Sequence, residues 1–201
     1  MNQQEYNKNY YDYFEELEGG IIQLKPYVHF SKRNFKTFSY EITKLIQLIC
    51  SEIDIVAKVI LNEHAVDLKS KYSGTININK WGFELQKIYK EDLYVELIFN
   101  DDIRIIPFNH KWKYEKKQDK NKKQSICLTN NGENPKWWTI YNKVKHERTV
   151  LVENNESYFE KANFENMIYA FGGLYILENI LYKEIYQTDE NMTSLLCKIK
   201  E

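Results

Sequence analysis

Asn142, Lys145, His146 and Arg148 are the residues of this chain whose types and spacing best suit chemistry. In a helix, Asn142 lies three residues from Lys145 and four from His146, so the three side chains meet on one face, which Thr139 and Thr149 extend. A histidine gives and takes protons near neutral pH, so His146 is the candidate acid or base. Lysine and arginine hold a phosphate or stabilise negative charge developing on one, the roles open to Lys145 and Arg148. Asn142 can position either partner. Together they suit attack on a phosphodiester by its 2′-hydroxyl, a reaction that needs no metal. The same residue types also decorate ordinary solvated helices, so residue chemistry by itself leaves both readings open.

Other residues could support such a face. Glu52 and Asp54 sit in the middle of an apolar-periodic segment, where they either act in catalysis, pair with the cationic face or lie in solvent. The segment 111–123 holds seven lysines against Glu115 and Asp119. Its Lys111, Lys113, Lys116 and Lys117, with Trp112 and Tyr114 between them, could hold RNA through phosphate attraction and stacking, or form a solvated loop. His29 and His64 have no ligand-like neighbours in sequence. No CxxC, HExxH, P-loop or GxSxG pattern occurs, which leaves zinc hydrolase, nucleotide triphosphatase and serine hydrolase readings without support. No cofactor or metal is expected.

The elements that must position these residues read as helices. Tyr6, Tyr10, Tyr13, Phe14 and Leu17 recur at helical spacing over 3–18, and Gly19-Gly20 is expected to end that run. Pro26 interrupts a short apolar connector, 21–30. Ser39 is a good N-cap for the clearest helix, which runs to about His64 with Ile42, Leu45, Ile46, Ile49, Ile53, Val56 and Ile60 on its buried side. A shorter helix is predicted over 79–91. Alternation in Val95, Leu97 and Phe99 and again in Ile103 and Ile105, around Asn100–Asp102, predicts a small hairpin. Residues 111–133 read as a mobile lysine-rich loop. Asn134-Pro135 reads as an N-cap followed by proline at the first helical position, so the helix carrying His146 should start there. A last helix over 158–186 buries Phe164, Met167, Ile168, Phe171, Leu174, Tyr175 and Leu181. It should pack antiparallel to the helix at 39–64, since these two carry the longest apolar stripes, and Gly172-Gly173 should mark a close helix crossing.

Composition bounds the rest. With 28 basic and 29 acidic residues and 43% apolar residues, the 201-residue chain folds as one domain, 1–201, and any nucleic-acid site must be a local patch. No apolar run approaches a membrane span and no signal peptide is apparent, so no membrane partner is expected and a cytoplasmic location is. Cys50, Cys127 and Cys197 are odd in number and widely spaced, as reduced thiols would be. The excess of aromatics (Tyr6, Tyr10, Tyr13, Phe14, Trp137, Trp138) suggests cover for a homodimer interface.

The string Trp137-Trp138-x-x-Tyr141-Asn142-x-Val144-Lys145-His146-x-Arg148 resembles a segment of bacterial HEPN-like proteins. As in those, an Ala-Asn-rich apolar helix follows, with Ala162-Asn163-Phe164-Glu165-Asn166, Ala170 and Leu174. The segment Ser51-Glu52-Ile53-Asp54 with Lys58 resembles their first long helix. The likeness covers about residues 39–185. It implies a mainly α fold, an antiparallel HEPN-like helical bundle with a small β-hairpin insertion, commonly dimeric. It also implies contact between Glu52 or Asp54 and the Lys145–His146–Arg148 face. Many members are metal-independent RNases of toxin–antitoxin, abortive-infection and antiviral systems. Their usual signature is an arginine, four to six variable residues and a histidine; here Arg148 follows His146 instead. The one literal match, Arg104 to His110, lies in the hairpin region, contains Pro107 and reads as coincidence. Two functions remain open. One is a metal-independent RNase with His146 as acid/base, Arg148 and Lys145 on the phosphate and Asn142 positioning. The other is a non-catalytic module that binds RNA, a nucleotide or an antitoxin or defence partner protein.

Overall fold

The computed structural model describes residues 1–109, 111–112, 134–152 and 155–200, and the backbone of 115–118 and 124–127. The chain opens on one helical run: α1 (Gln3–Tyr6), a π-helical turn (Asn7–Tyr11) and α2 (Asp12–Ile22). Gly19-Gly20 does not end it, contrary to the sequence expectation. A Cβ at Gly20 would lie 2.9 Å from Leu45 Cδ2, so this glycine serves the packing of the run on the next helix. That helix is α3 (Tyr40–Glu63), capped by Ser39 Oγ accepting from the Ile42 N–H at 3.2 Å. The apolar positions expected on its inner side, Ile42, Leu45, Ile46, Ile49, Ile53, Val56 and Ile60, are all buried. After α4 (Leu68–Lys71), the helix expected over 79–91 is split at Tyr89 into α5 (Ile78–Ile88) and α6 (Lys90–Leu93).

The predicted hairpin forms as β1 (Leu97–Phe99) and β2 (Ile103–Ile105), antiparallel with Leu97 opposite Ile105. Asn100 and Asp101 turn it at φ 48° and 64°, left-handed values that these residue types tolerate. Within the stretch read as a loop, β3 (Glu115–Gln118) pairs antiparallel with β4 (Gln124–Cys127). Then come α7 (Lys136–Glu147), α8 (Tyr158–Lys161) and α9 (Phe164–Tyr186), so the helix predicted over 158–186 is interrupted at Ala162 and recapped by Asn163. A strand the sequence reading missed, β5 (Cys197–Ile199), joins the far edge of β1 to give the order β2-β1-β5. The buried Glu18 carboxylate holds it there, accepting from the Leu195 and Leu196 N–H groups, each at 3.1 Å, and from the Ser194 hydroxyl at 2.5 Å.

Helix α9 is the centre of the molecule, buried almost all round from Phe164 to Leu181. It packs on α3 as expected, but in parallel rather than antiparallel. Just ahead of both helices the Phe164 N–H donates to the Thr37 carbonyl at 2.7 Å; at their far ends His64 Nε2 lies 2.6 Å from Glu184 Oε1. A short connection forces neighbouring helices antiparallel, but the whole of 64–163 intervenes here, so apolar stripes choose partners without choosing direction. The opposing direction comes from the N-terminal run, where Tyr6 packs on Tyr182 and Tyr186 and Phe14 on Phe171. The glycine pair is likewise not a helix crossing. A Cβ on Gly172 would meet Ile105 Cδ1 at 2.7 Å and Pro107 Cγ at 2.8 Å, and one on Gly173 would meet Trp137 Cζ2 at 3.2 Å. The hairpin and one indole use that space. Of the aromatics singled out in the sequence, Tyr6, Phe14, Trp137 and Trp138 are buried in this chain's own core, Tyr10 is half-buried and Tyr13 is exposed.

Candidate functional site

Helix α7 is held by its tryptophans. Trp137 Nε1 donates to the Pro107 carbonyl at 3.0 Å, and Trp138 packs edge-on against Trp81 and beside Tyr141. With Ile140 and Val144 they bury one side and turn the polar side outward. The helix starts one residue later than predicted: Pro135 is the N-cap, its carbonyl accepting from the Trp138 and Thr139 N–H groups at 2.9 and 3.0 Å. Proline's missing N–H costs nothing there, but it has no side-chain acceptor, and Asn134 Oδ1 is left buried without a hydrogen bond.

On the outward side Asn142, Lys145, His146 and Arg148 are all exposed, as are Thr139 and Thr149. Asn142 Nδ2 donates to the Trp138 carbonyl at 3.1 Å, one turn back along the same helix. The Lys145 ammonium lies 5.7 Å from the centre of the Tyr141 ring. Glu147, the one acid of α7, is taken by Lys143 at 2.9 Å. Lys145, His146 and Arg148 therefore form no ion pair among the described residues, and the end of α7 carries excess positive charge.

The expected contact with Glu52 or Asp54 is not made. Asp54 accepts from Trp81 Nε1 at 3.0 Å and pairs with Lys58 on its own helix. Glu52 is buried, and burial pushes its carboxyl up to about 6. It lies close enough to Glu178 on α9 to disfavour that residue's charge. Glu178 is fully buried and neither of its oxygens has a hydrogen bond. Burial, and then Glu52, push its carboxyl up to about 8. Charged residues inside a bundle pair when a partner is within reach; here α3 turns Glu52 toward α9 and the N-terminal run, away from the cations.

Of the lysines proposed for RNA, Lys111 is exposed, Lys116 and Lys117 stand in β3 opposite Ile126 and Ser125, and Lys113 lies outside the described residues. Trp112 is not a stacking platform. It is buried against Phe108 and Gly82, where a Cβ would lie 2.6 Å from its ring, and its N–H donates to Gln86 Oε1 at 2.7 Å. Arg104 is exposed on β2, and His110 lies outside the described residues.

Two clusters escaped the sequence reading. One is the Glu52–Glu178 pair, whose only signal is a single acid in the apolar run Leu174–Leu181. The other joins His64 to Glu184 and the Tyr89 hydroxyl, three residues distant in sequence that meet where α3, α5 and α9 end. His64 thus has the neighbours its sequence surroundings lack. Cys50 and Cys197 are free and buried, and burial pushes both thiols up. Among the described residues no group of three or more His, Cys, Asp or Glu could hold a metal ion, and no helix is long and apolar enough to cross a membrane. No protein family, no curated protein and no solved structure matches this chain.

Proposed function

We propose that this chain is a HEPN-like protein of a bacterial antiviral or toxin–antitoxin system, and that the exposed end of α7 binds RNA through its phosphates. The observation that carries the reading is the pair of exposed cationic side chains Lys145 and Arg148, beside an exposed His146, with no ion pair among the described residues while Lys143 occupies Glu147. Unpaired cations on a rigid helix hold phosphates without first breaking an internal ion pair. The family assignment rests on the residues of 39–185 that resemble HEPN-like proteins.

Binding is favoured over catalysis because acid–base chemistry at a phosphodiester is served by two proton-transfer groups, and among the described residues no hydrogen bond or ion pair joins a second such group to His146, the adjacent Glu147 being taken by Lys143. The metal-independent RNase stays as a second reading, favoured by a solvent-exposed imidazole two residues from a free guanidinium. In that case a second subunit or a partner protein supplies the missing group. Fluorescence anisotropy with labelled RNA over a salt series tests the first reading. Arg148→Ala and Lys145→Ala should each weaken binding and reduce the salt slope by about one; wild-type protein that binds no RNA at low salt would sink it. Cleavage of RNA in the presence of chelator, lost in His146→Ala, would establish the second.

A further inference from the structure

Beside the cationic end of α7 stands a shelf of exposed aromatic rings. Tyr40 is 78% exposed at the first position of α3, and its ring is backed by Phe159 of α8 at 4.9 Å between centres. Phe38, 42% exposed, meets the same Phe159 ring edge-on at 5.5 Å. The shelf is tied to the cationic end through the backbone, because the Phe159 N–H donates to the Arg148 carbonyl at 3.0 Å. On its other side Phe38 borders a groove of about 320 Å³ whose charged lining is Lys36, Lys136 and Lys161 with Glu156, Glu160 and Glu165, the last paired with Lys136. Neither Lys36 nor Lys161, nor Arg148, makes an ion pair among the described residues. Of the nearby acids Glu41 pairs with Lys44, while Glu160, whose carboxyl the Ser157 N–H and hydroxyl hold below the usual range, stands with Glu156 at the rim without a cationic partner.

A ring as large as tyrosine, placed with its outer side in water and its inner side supported by a second aromatic, loses apolar burial that the fold offers elsewhere to most of its aromatics. Exposed rings flanked by cations without ion pairs fit a strand whose phosphates meet the cations while an unpaired base lies on the ring. A duplex cannot do this, because its bases are already stacked on both sides. From this juxtaposition we infer that the nucleic acid held by this protein is single-stranded, with bases seated on Tyr40 and Phe38 and the flanking phosphates on Arg148 and on Lys36 and Lys161. The inference rests on the RNA-binding reading and adds the substrate class.

The test is anisotropy with a labelled single-stranded 2′-O-methyl RNA, which cannot be cleaved by its own 2′-hydroxyl, and with a duplex of the same length. Wild type should prefer the single strand. Tyr40→Ala should weaken single-strand binding about tenfold while leaving duplex binding unchanged. Tyr40→Phe should retain it, since the ring and not the hydroxyl is used, and Tyr40 is exposed enough that neither variant should alter the melting temperature. Arg148→Ala should weaken both ligands. Equal affinity for the two RNAs, with Tyr40→Ala indistinguishable from wild type, overturns the single-strand inference and leaves the phosphate reading standing. No binding of either RNA overturns both.

Discussion

Glu178→Gln probes the least favourable electrostatic arrangement in the fold. Glu178 is enclosed in α9 with both oxygens short of a formed hydrogen bond; Glu52 on α3 adds to the effect of burial and the nearby Tyr6 hydroxyl on the N-terminal run offsets part of it, and neither group can carry positive charge. Its carboxyl stands at about 8 in the folded chain against 4.5 for an ordinary glutamate. Between those values the folded chain holds a proton that the unfolded chain has released. The stability this acid contributes is therefore complete below about pH 4.5 and is lost as pH rises through 8. At about 1.36 kcal/mol per pH unit, wild type should lose roughly 3 kcal/mol between pH 5.5 and 8.5 relative to Glu178→Gln, which keeps the shape and cannot ionise. Urea unfolding followed by circular dichroism, run on both proteins across that range, isolates the effect, because every other titrating group is common to the two. Glu52→Gln should reduce the total loss and end it at lower pH, since it removes the second cause of the shift. Parallel profiles, or a wild type that gains on the variant above pH 7, would refute the reasoning.

Three further outcomes follow from the packing. Gly172→Ala should cost about 1–3 kcal/mol in thermal or urea unfolding, because its Cβ would meet Ile105 and Pro107 below 3.0 Å and the hairpin must shift. Glu18→Ala leaves the Leu195 N–H without its partner and should cost on the order of 1–3 kcal/mol, with faster hydrogen exchange confined to 195–199. Trp81→Phe removes the bond to Asp54 and should cost about 1 kcal/mol or more, measured by the same unfolding assay; a neutral result would mean water replaces the indole at Asp54.

How much of this was legible in sequence follows from the range of each signal. The start of α3 at Ser39, its extent to His64 and the turn at Asn100-Asp101 are set by side chains a few residues apart, and each appears where the spacing predicts. The parallel pairing of α3 with α9 and the addition of β5 to β1 depend on contacts across the chain, and nothing local encodes them. Both glycine pairs were read by their local meaning, as a terminator and as a helix crossing. In the fold they are places where something bulky approaches: Leu45 at Gly20, the hairpin at Gly172.

The candidate site divides along the same line. The polar side of α7 could be read because an exposed helical face is a property of one segment, and Asn142, Lys145, His146 and Arg148 are all on the surface. Whether Glu52 and Asp54 would meet them depended on the rotation of α3, and the sequence offered only their mid-helix position. The structure shows why proximity in a motif is weak evidence: Asp54 is claimed by Trp81 and Lys58, Glu52 by the core. Separation of the acids from the cations has a consequence for function. Had Glu52 or Asp54 closed on Lys145 or Arg148, an incoming phosphate would have had to displace a carboxylate. With Glu52 buried and Asp54 paired, Lys145 and Arg148 form no ion pair among the described residues, and the backbone of Arg148 is bonded to that of Phe159, which backs Tyr40 and Phe38.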